Sequence, residues 1–258
     1  MYPDLFGIDG FSMVVMILLG VAVASIIFLL YIKRLKVEKK SYLDLIIVII
    51  STALMGIIFA IIFENIYEAI KHAIYHQAQA FTWGMTFYGG LFGGVITFIL
   101  MYRYYYLRHN SPIFKEILKI APGCICVGHG FGRIGCFLSG CCYGIETHSH
   151  WDIYFPTHQH AYLPTQLIEM TFLFILGGVL LFLAFKNITN YTMNIYLLSY
   201  GLFRFIIEFF RGDERGQLVG LSPSQYWCIL LVILSVVLYF VFKRYIFVKE
   251  VDYENEVH

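Results

Sequence analysis

Charge is what this sequence is short of. Asp, Glu, Lys and Arg make up 14% of its 258 residues, against 59% hydrophobic residues and a mean hydropathy of +0.73. A soluble domain carries roughly a quarter charged residues. The shortfall excludes an ordinary water-soluble globule and points to an all-α, polytopic integral membrane protein, expected to form a single domain over residues 1–258. What charge there is nearly cancels, at +1, so bulk electrostatics gives no reason to expect a nucleic-acid partner. The opening MYPDLFGIDG has no basic residue, so the first apolar run does not read as a cleaved signal peptide. Six cysteines in a long apolar chain do not read as the disulfide framework of a small secreted domain. Lys and Arg are also missing altogether between Gly144 and Pro164.

What is there is a series of apolar runs. A membrane-spanning helix needs about 20 mostly apolar residues. The runs Phe11–Ile32, Asp44–Phe63, Trp83–Met101, Thr165–Phe185, Tyr191–Phe210 and Gln225–Phe242 qualify. Ile117–Leu138 is a weaker one, rich in Gly and carrying His129 and Arg133. Basic loops favour the cytoplasmic side. Basic residues cluster in KRLKVEKK after the first run, at Arg103, Arg108, Lys115 and Lys119 after the third, at Lys186, and in KRYIFVK near the end. These stretches fall on one side only if the weaker run also spans. The expectation is therefore about seven transmembrane helices, with the N-terminus outside and the C-terminus cytoplasmic. KEVDYENEVH reads as a short polar tail.

Within the apolar runs two features stand out. FYGGLFGG places Gly at i and i+4 twice, a pattern that lets helix backbones approach closely; beside it stands Tyr88. The second feature is charge at membrane depth, which costs about 2.5–3.5 kcal/mol at a helix centre on insertion scales and so marks a functional candidate. Arg204, Glu208 and Arg211 share one helix face at i, i+4 and i+7. Their spacing fits either a self-neutralising Arg204–Glu208 pair or a carboxylate that orients a guanidinium toward an anion. His129, Arg133 and Cys136 repeat the same spacing. Arg133 has no acidic residue within eight positions on either side, so its anion must come from another helix or from a lipid phosphate.

Cys136, Cys141 and Cys142 lie in FGRIGCFLSGCCYG. Their C-x4-C-C spacing differs from the paired C-x2–4-C of structural zinc sites, and adjacent cysteines do not easily turn toward one ion. They read as small packing residues, with a disulfide to Cys136 left open. The loop THSHWDIYFPTHQHAY, with His148, His150, His158 and His160, reads as an external segment. Its Trp151, Tyr154, Phe155 and Tyr162 suit a membrane interface.

The motifs taken together resemble one family. GRIGCFLSGCCYG resembles the signature of prolipoprotein diacylglyceryl transferases, YLPTQLIE their Pro-x-Gln-Leu-x-Glu helix start, YGLFRFIIEFFR their Tyr-Gly-x-x-Arg-Phe-x-x-Glu-Phe-x-Arg helix, and SPSQYWCILL the Ser-x-x-Gln opening of the last span. The resemblance implies a bacterial plasma-membrane enzyme that transfers the diacylglyceryl group of phosphatidylglycerol to the lipobox cysteine of a preprolipoprotein. It implies no metal and no organic cofactor. Carried over by position, it implies catalytic roles for Arg133, Arg204 and Glu208. It also implies headgroup contacts from Arg133, Tyr88, Gly135, Gly140, Gly144 and Gln166. The family pattern has histidine where Tyr88 stands, asparagine at Cys136 and Ser139, and glutamate at Cys141. His129, one turn from Arg133, is expected to stand in for that histidine. Two alternatives stay open: a related transferase with a different acceptor, and a lipid-binding or transport protein that has lost the reaction.

Overall fold

The computed structural model describes residues 11–35, 39–75, 87–109, 113–147, 150–156, 159–212 and 220–246. The polar tail, His148, His158 and Trp83 lie outside the described residues, as does the middle of KRLKVEKK. The described chain is dominated by helices: α1 Phe11–Arg34, α2 Lys39–Tyr75, α3 Phe87–His109, α4 Phe114–Leu138, α5 Thr165–Phe185, α6 Thr192–Ile207 and α7 Pro223–Val241. Five stretches are long and apolar enough to cross a membrane: Phe11–Arg34, Tyr42–Ile70, Thr165–Phe185, Thr192–Phe210 and Ser224–Arg244. The chain is thus a multi-pass, helical membrane protein. α3 and α4 are helical where the runs were expected but are not among these five. α2 runs well past the expected end at Phe63, because nothing from Glu64 to Tyr75 is Gly or Pro and the stretch holds good helix formers such as Glu, Ala and Lys.

The chain divides into two compact units, one of residues 29–112 and one of residues 1–28 with 113–258. In the first, the glycine repeat of α3 lies directly on α2. A Cβ at Gly93 would clash with Cβ of Phe59, and one at Gly89 would fall 2.7 Å from the Phe59 carbonyl oxygen. That is the close backbone approach which small residues permit between membrane helices.

The other unit is organised around α4. This helix contains Pro122 and five glycines, a composition that disfavours an isolated helix. Neighbouring side chains fill the gaps: Leu181 at Gly123, Phe174 at Gly130, and the backbone of Met13 at Gly135, 3.2 Å from a Cβ built there. α5 and α6 meet through stacked Phe172 and Phe203, whose ring centroids lie 3.9 Å apart. α6 and α7 are tied by Asn194 Nδ2 donating to the Ser235 carbonyl at 2.7 Å, and by Ser235 Oγ donating to the Asn194 carbonyl at 3.0 Å. α7 opens with a capping box: Ser222 Oγ accepts from the Gln225 amide at 3.3 Å, and Gln225 Oε1 accepts from the Ser222 amide at 2.9 Å. Such reciprocal caps satisfy two donors that a helix start leaves open.

The histidine-rich loop is folded. Strands β1 Ile153–Phe155 and β2 His160–Tyr162 pair antiparallel. Side chains alternate across a strand, so the four aromatic residues split. Trp151 and Tyr154 are exposed, whereas Phe155 is fully buried and packs edge-on against Phe137 and Tyr162 and at a tilt against Tyr143.

Candidate functional site

The lone carboxylate of α5 organises the site. Glu169 is the single charged residue of Thr165–Phe185 and is almost fully buried. Its Oε1 lies 2.9 Å from Arg133 Nη2, 3.8 Å from His129 Nε2 and 4.0 Å from Arg204 Nε. Tyr200 donates its hydroxyl to the same oxygen at 2.9 Å. One buried carboxylate oxygen therefore gathers two guanidiniums, an imidazole and a phenol from α4 and α6. The anion that the Arg133 spacing demands comes from another helix, and it is Glu169. Taking a carboxylate out of water is expensive unless cations and donors surround it, and here they do.

A second carboxylate completes the ladder. Glu208 Oε2 lies 2.7 Å from Arg204 Nη2, the i, i+4 pair expected from spacing. The α6 helix ends at Ile207 and residues Glu208–Phe210 form a 3-10 turn, so Glu208 sits at the helix end. Ser222, the cap of α7, donates its hydroxyl to Glu208 Oε1 at 2.8 Å. The chain of contacts thus runs from the α7 cap through Glu208, Arg204 and Glu169 to Arg133 and His129.

Both guanidiniums keep unused donors. Arg133 Nε and Arg204 Nη1 are buried and have no hydrogen-bond partner among the described residues. Buried polar atoms are seldom left so, and an unpaired buried donor costs about 1–3 kcal/mol. Two arginines, each held at one end by a carboxylate and open at another nitrogen, suit an oxyanion with several acceptor oxygens.

The glycine-rich turn after α4 borders this cluster. Gln166, at the start of α5, donates Nε2 to the Cys141 carbonyl at 2.6 Å, while its buried Oε1 has no partner among the described residues. Thr165 Oγ1 donates to the Cys142 carbonyl at 3.0 Å. Gly140 adopts φ +70°, where a side chain is disfavoured. Gly144 sits where three strands of chain meet: its amide donates to the Leu163 carbonyl at 2.9 Å, and the next amide, of Ile145, to the Phe210 carbonyl at 2.9 Å. A Cβ on Gly144 would fall 2.7 Å from both of those carbonyl oxygens. Its lack of a side chain thus serves the chain's own closure.

Of the residues singled out from sequence, Arg133, Arg204, His129 and Glu208 come together, with Gly140 and Gly144 in the adjoining turn and Gln166 of α5 bonded to it. Gly135 lies against α1 instead. Tyr88 is near the start of α3, in the other unit, and its side chain lies outside the described residues. Sequence reasoning missed Glu169, Tyr200 and Ser222 as members. The signal for Glu169 was present: an isolated carboxylate in an otherwise apolar 21-residue helix is itself a functional candidate.

Comparison with known proteins bears on the family of the chain. A model of the family described as prolipoprotein diacylglyceryl transferase matches residues 6–241. The second phosphatidylglycerol–prolipoprotein diacylglyceryl transferase of Clostridium perfringens is 34% identical over 243 residues, covering 92% of this chain and 92% of the relative. The Clostridium tetani protein of that name is 34% identical over 160 residues, 59% of this chain and 62% of the relative. That of Chlorobaculum tepidum is 34% identical over 161 residues, 58% and 52% respectively.

Proposed function

The chain belongs to the prolipoprotein diacylglyceryl transferase family, and from that premise we propose that it transfers the diacylglyceryl group of phosphatidylglycerol to the lipobox cysteine of a prolipoprotein. The thiolate sulfur of that cysteine forms a bond to the terminal glyceryl carbon, the carbon–oxygen bond to phosphate breaks, and glycerol 1-phosphate leaves with the bonding electrons. The observation that carries the reading is the pair of buried, unpartnered donors on Arg133 and Arg204.

The phosphate of the lipid occupies those two donors. Charge that accumulates on the leaving phosphate is met by donors already in place, which lowers the barrier without reorganisation. Glu169 and Glu208 hold the two guanidiniums at fixed orientations by their own ion pairs, so the forks do not collapse onto each other's carboxylates when lipid arrives. His129, adjoining Glu169, takes the thiol proton. Gln166 Oε1 accepts from a glycerol hydroxyl, while Gly140 and Gly144 shape the turn alongside. All seven helices span the plasma membrane as one transferase domain, with the N-terminus outside and the C-terminus cytoplasmic. The absence of Lys and Arg from Gly144 to Pro164, against the basic stretches elsewhere, supports that orientation.

The test is direct. Purified protein, phosphatidylglycerol vesicles and a synthetic lipobox peptide are incubated and the peptide is analysed by mass spectrometry. A thioether-linked diacylglyceryl adduct is expected. Its absence beside an active family member overturns the reading, and release of glycerol phosphate without peptide modification assigns a different acceptor.

A further inference from the structure

The three thiols of the glycine-rich turn converge in a way their spacing does not announce. The Sγ atoms of Cys136, Cys141 and Cys142 all lie within 4.8 Å of one another. Adjacent cysteines in extended backbone point to opposite sides. Here Cys142 adopts φ +65°, a left-handed conformation uncommon for a residue with a side chain, and it follows Gly140 at φ +70°. The double reversal folds the turn back on the end of α4, so that both neighbours face Cys136. None of the six cysteines is in a disulfide. Backbone held in a sparsely populated region persists where surrounding structure over-determines it. Here the surroundings are Gln166 and Thr165, which hold the carbonyls of Cys141 and Cys142.

We propose that Cys136, Cys141 and Cys142 form a three-thiolate site for a thiophilic d10 metal ion, Zn2+ in the first instance. Four-coordinate zinc with Zn–S of about 2.3 Å sets its sulfurs about 3.8 Å apart. The triad therefore needs to contract by about 1 Å at most, well within side-chain rotation. Three soft sulfur donors with no carboxylate among them select zinc or copper(I) over magnesium or calcium. Charge also fits. Three thiolates around Zn2+ carry one net negative charge, and two arginines adjoin them. Arg133 interacts with Cys136 and Cys142, and Arg211 with Cys142. The S–H protons pass to solvent as the S–Zn bonds form. Ser139, in the same turn, has a buried Oγ without a hydrogen-bond partner among the described residues; water on the fourth zinc position would supply one. The site is separate from the arginine–glutamate ladder in its donors, and its test stands apart from the transfer assay.

The full chain is purified in detergent under reducing conditions, stripped with chelator, equilibrated with Zn2+ and desalted. About one zinc per chain is expected, lost in the C136S/C141S/C142S variant and retained when His148, His150, His158 and His160 are all changed to Ala. A second measurement needs no variant. Maleimide labelling of the native wild-type chain, mapped by mass spectrometry, should slow at Cys136, Cys141 and Cys142 when Zn2+ is present and recover with chelator. Labelling of Cys124, Cys126 and Cys228 should not respond. Zinc that survives in the triple-Ser variant overturns the proposal. So does unchanged labelling of the three thiols, or a disulfide among them in the reduced-and-exchanged preparation.

Discussion

α4 carries a largely buried cation near each end, and the two ends are built differently. Near its start, Lys119 is almost fully buried and its ammonium donates to Glu116 at 3.0 Å and to Asn187 Oδ1 at 2.6 Å. None of those three side chains has a buried polar atom lacking a partner among the described residues. Near its other end, Arg133 meets Glu169 at 2.9 Å but leaves Nε open, and Arg204 beside it leaves Nη1 open. Burial of charge alone therefore does not mark the site. A cation whose partners come from the protein closes a structure. A cation that keeps a spare buried donor, and whose counter-charge is shared with a second cation, fits the lipid phosphate of the proposed reaction.

The contrast can be broken most severely at Glu169. Glu169→Gln removes the carboxylate shared by Arg133 and Arg204. Stranding buried charge costs about 3–5 kcal/mol, so thermal unfolding in detergent should fall sharply and lipobox transfer should vanish. A variant of wild-type stability would refute the central place given to this residue. Arg133→Lys keeps the charge and discards the planar fork. Transfer should drop by about 10²–10³-fold, the usual loss for an oxyanion donor, with the unfolding temperature little changed. Wild-type turnover would count against a forked phosphate contact. Ser222→Ala removes both the α7 cap and the hydrogen bond to Glu208. A lost cap costs about 1 kcal/mol, and transfer should weaken by about fivefold, the rate equivalent of that energy, through Arg204; an effect on stability alone would place Ser222 outside the ladder. The smallest effect is expected at the other end of α4. The double variant Lys119→Met with Glu116→Gln replaces an ion pair, of which only the lysine is buried, by neutral groups of similar volume, a change that is often neutral. Turnover should match wild type, and a large loss there would erase the distinction between the two ends.

Much of this was legible beforehand. The helices fall where the apolar runs predicted them, and the Arg204–Glu208 pair is local, set by helical spacing. The demand of Arg133 for an outside anion was also readable, because nothing near it in sequence is acidic. The identity of that anion was not. Glu169 reaches Arg133 through the packing of α5 on α4, which spacing along one helix does not encode. The cysteines show the same limit from the other side. C-x4-C-C argued against convergence, and the left-handed Cys142 reversed that expectation. The histidine-rich loop, expected as an external segment, forms a hairpin with Phe155 turned inward, because strand alternation sorts its aromatics to two faces.

What the sequence determined by itself was everything governed by local period and solvent preference. Scarcity of charge required a membrane, apolar runs required helices, and i, i+4 spacing required the Arg204–Glu208 pair. Tertiary structure decided which charges share a partner and which donors stay open. It also brought the three thiols together. Those outcomes depend on helix packing and on backbone dihedrals at single turn residues, where a few ångströms or one sign of φ changes what a side chain can reach.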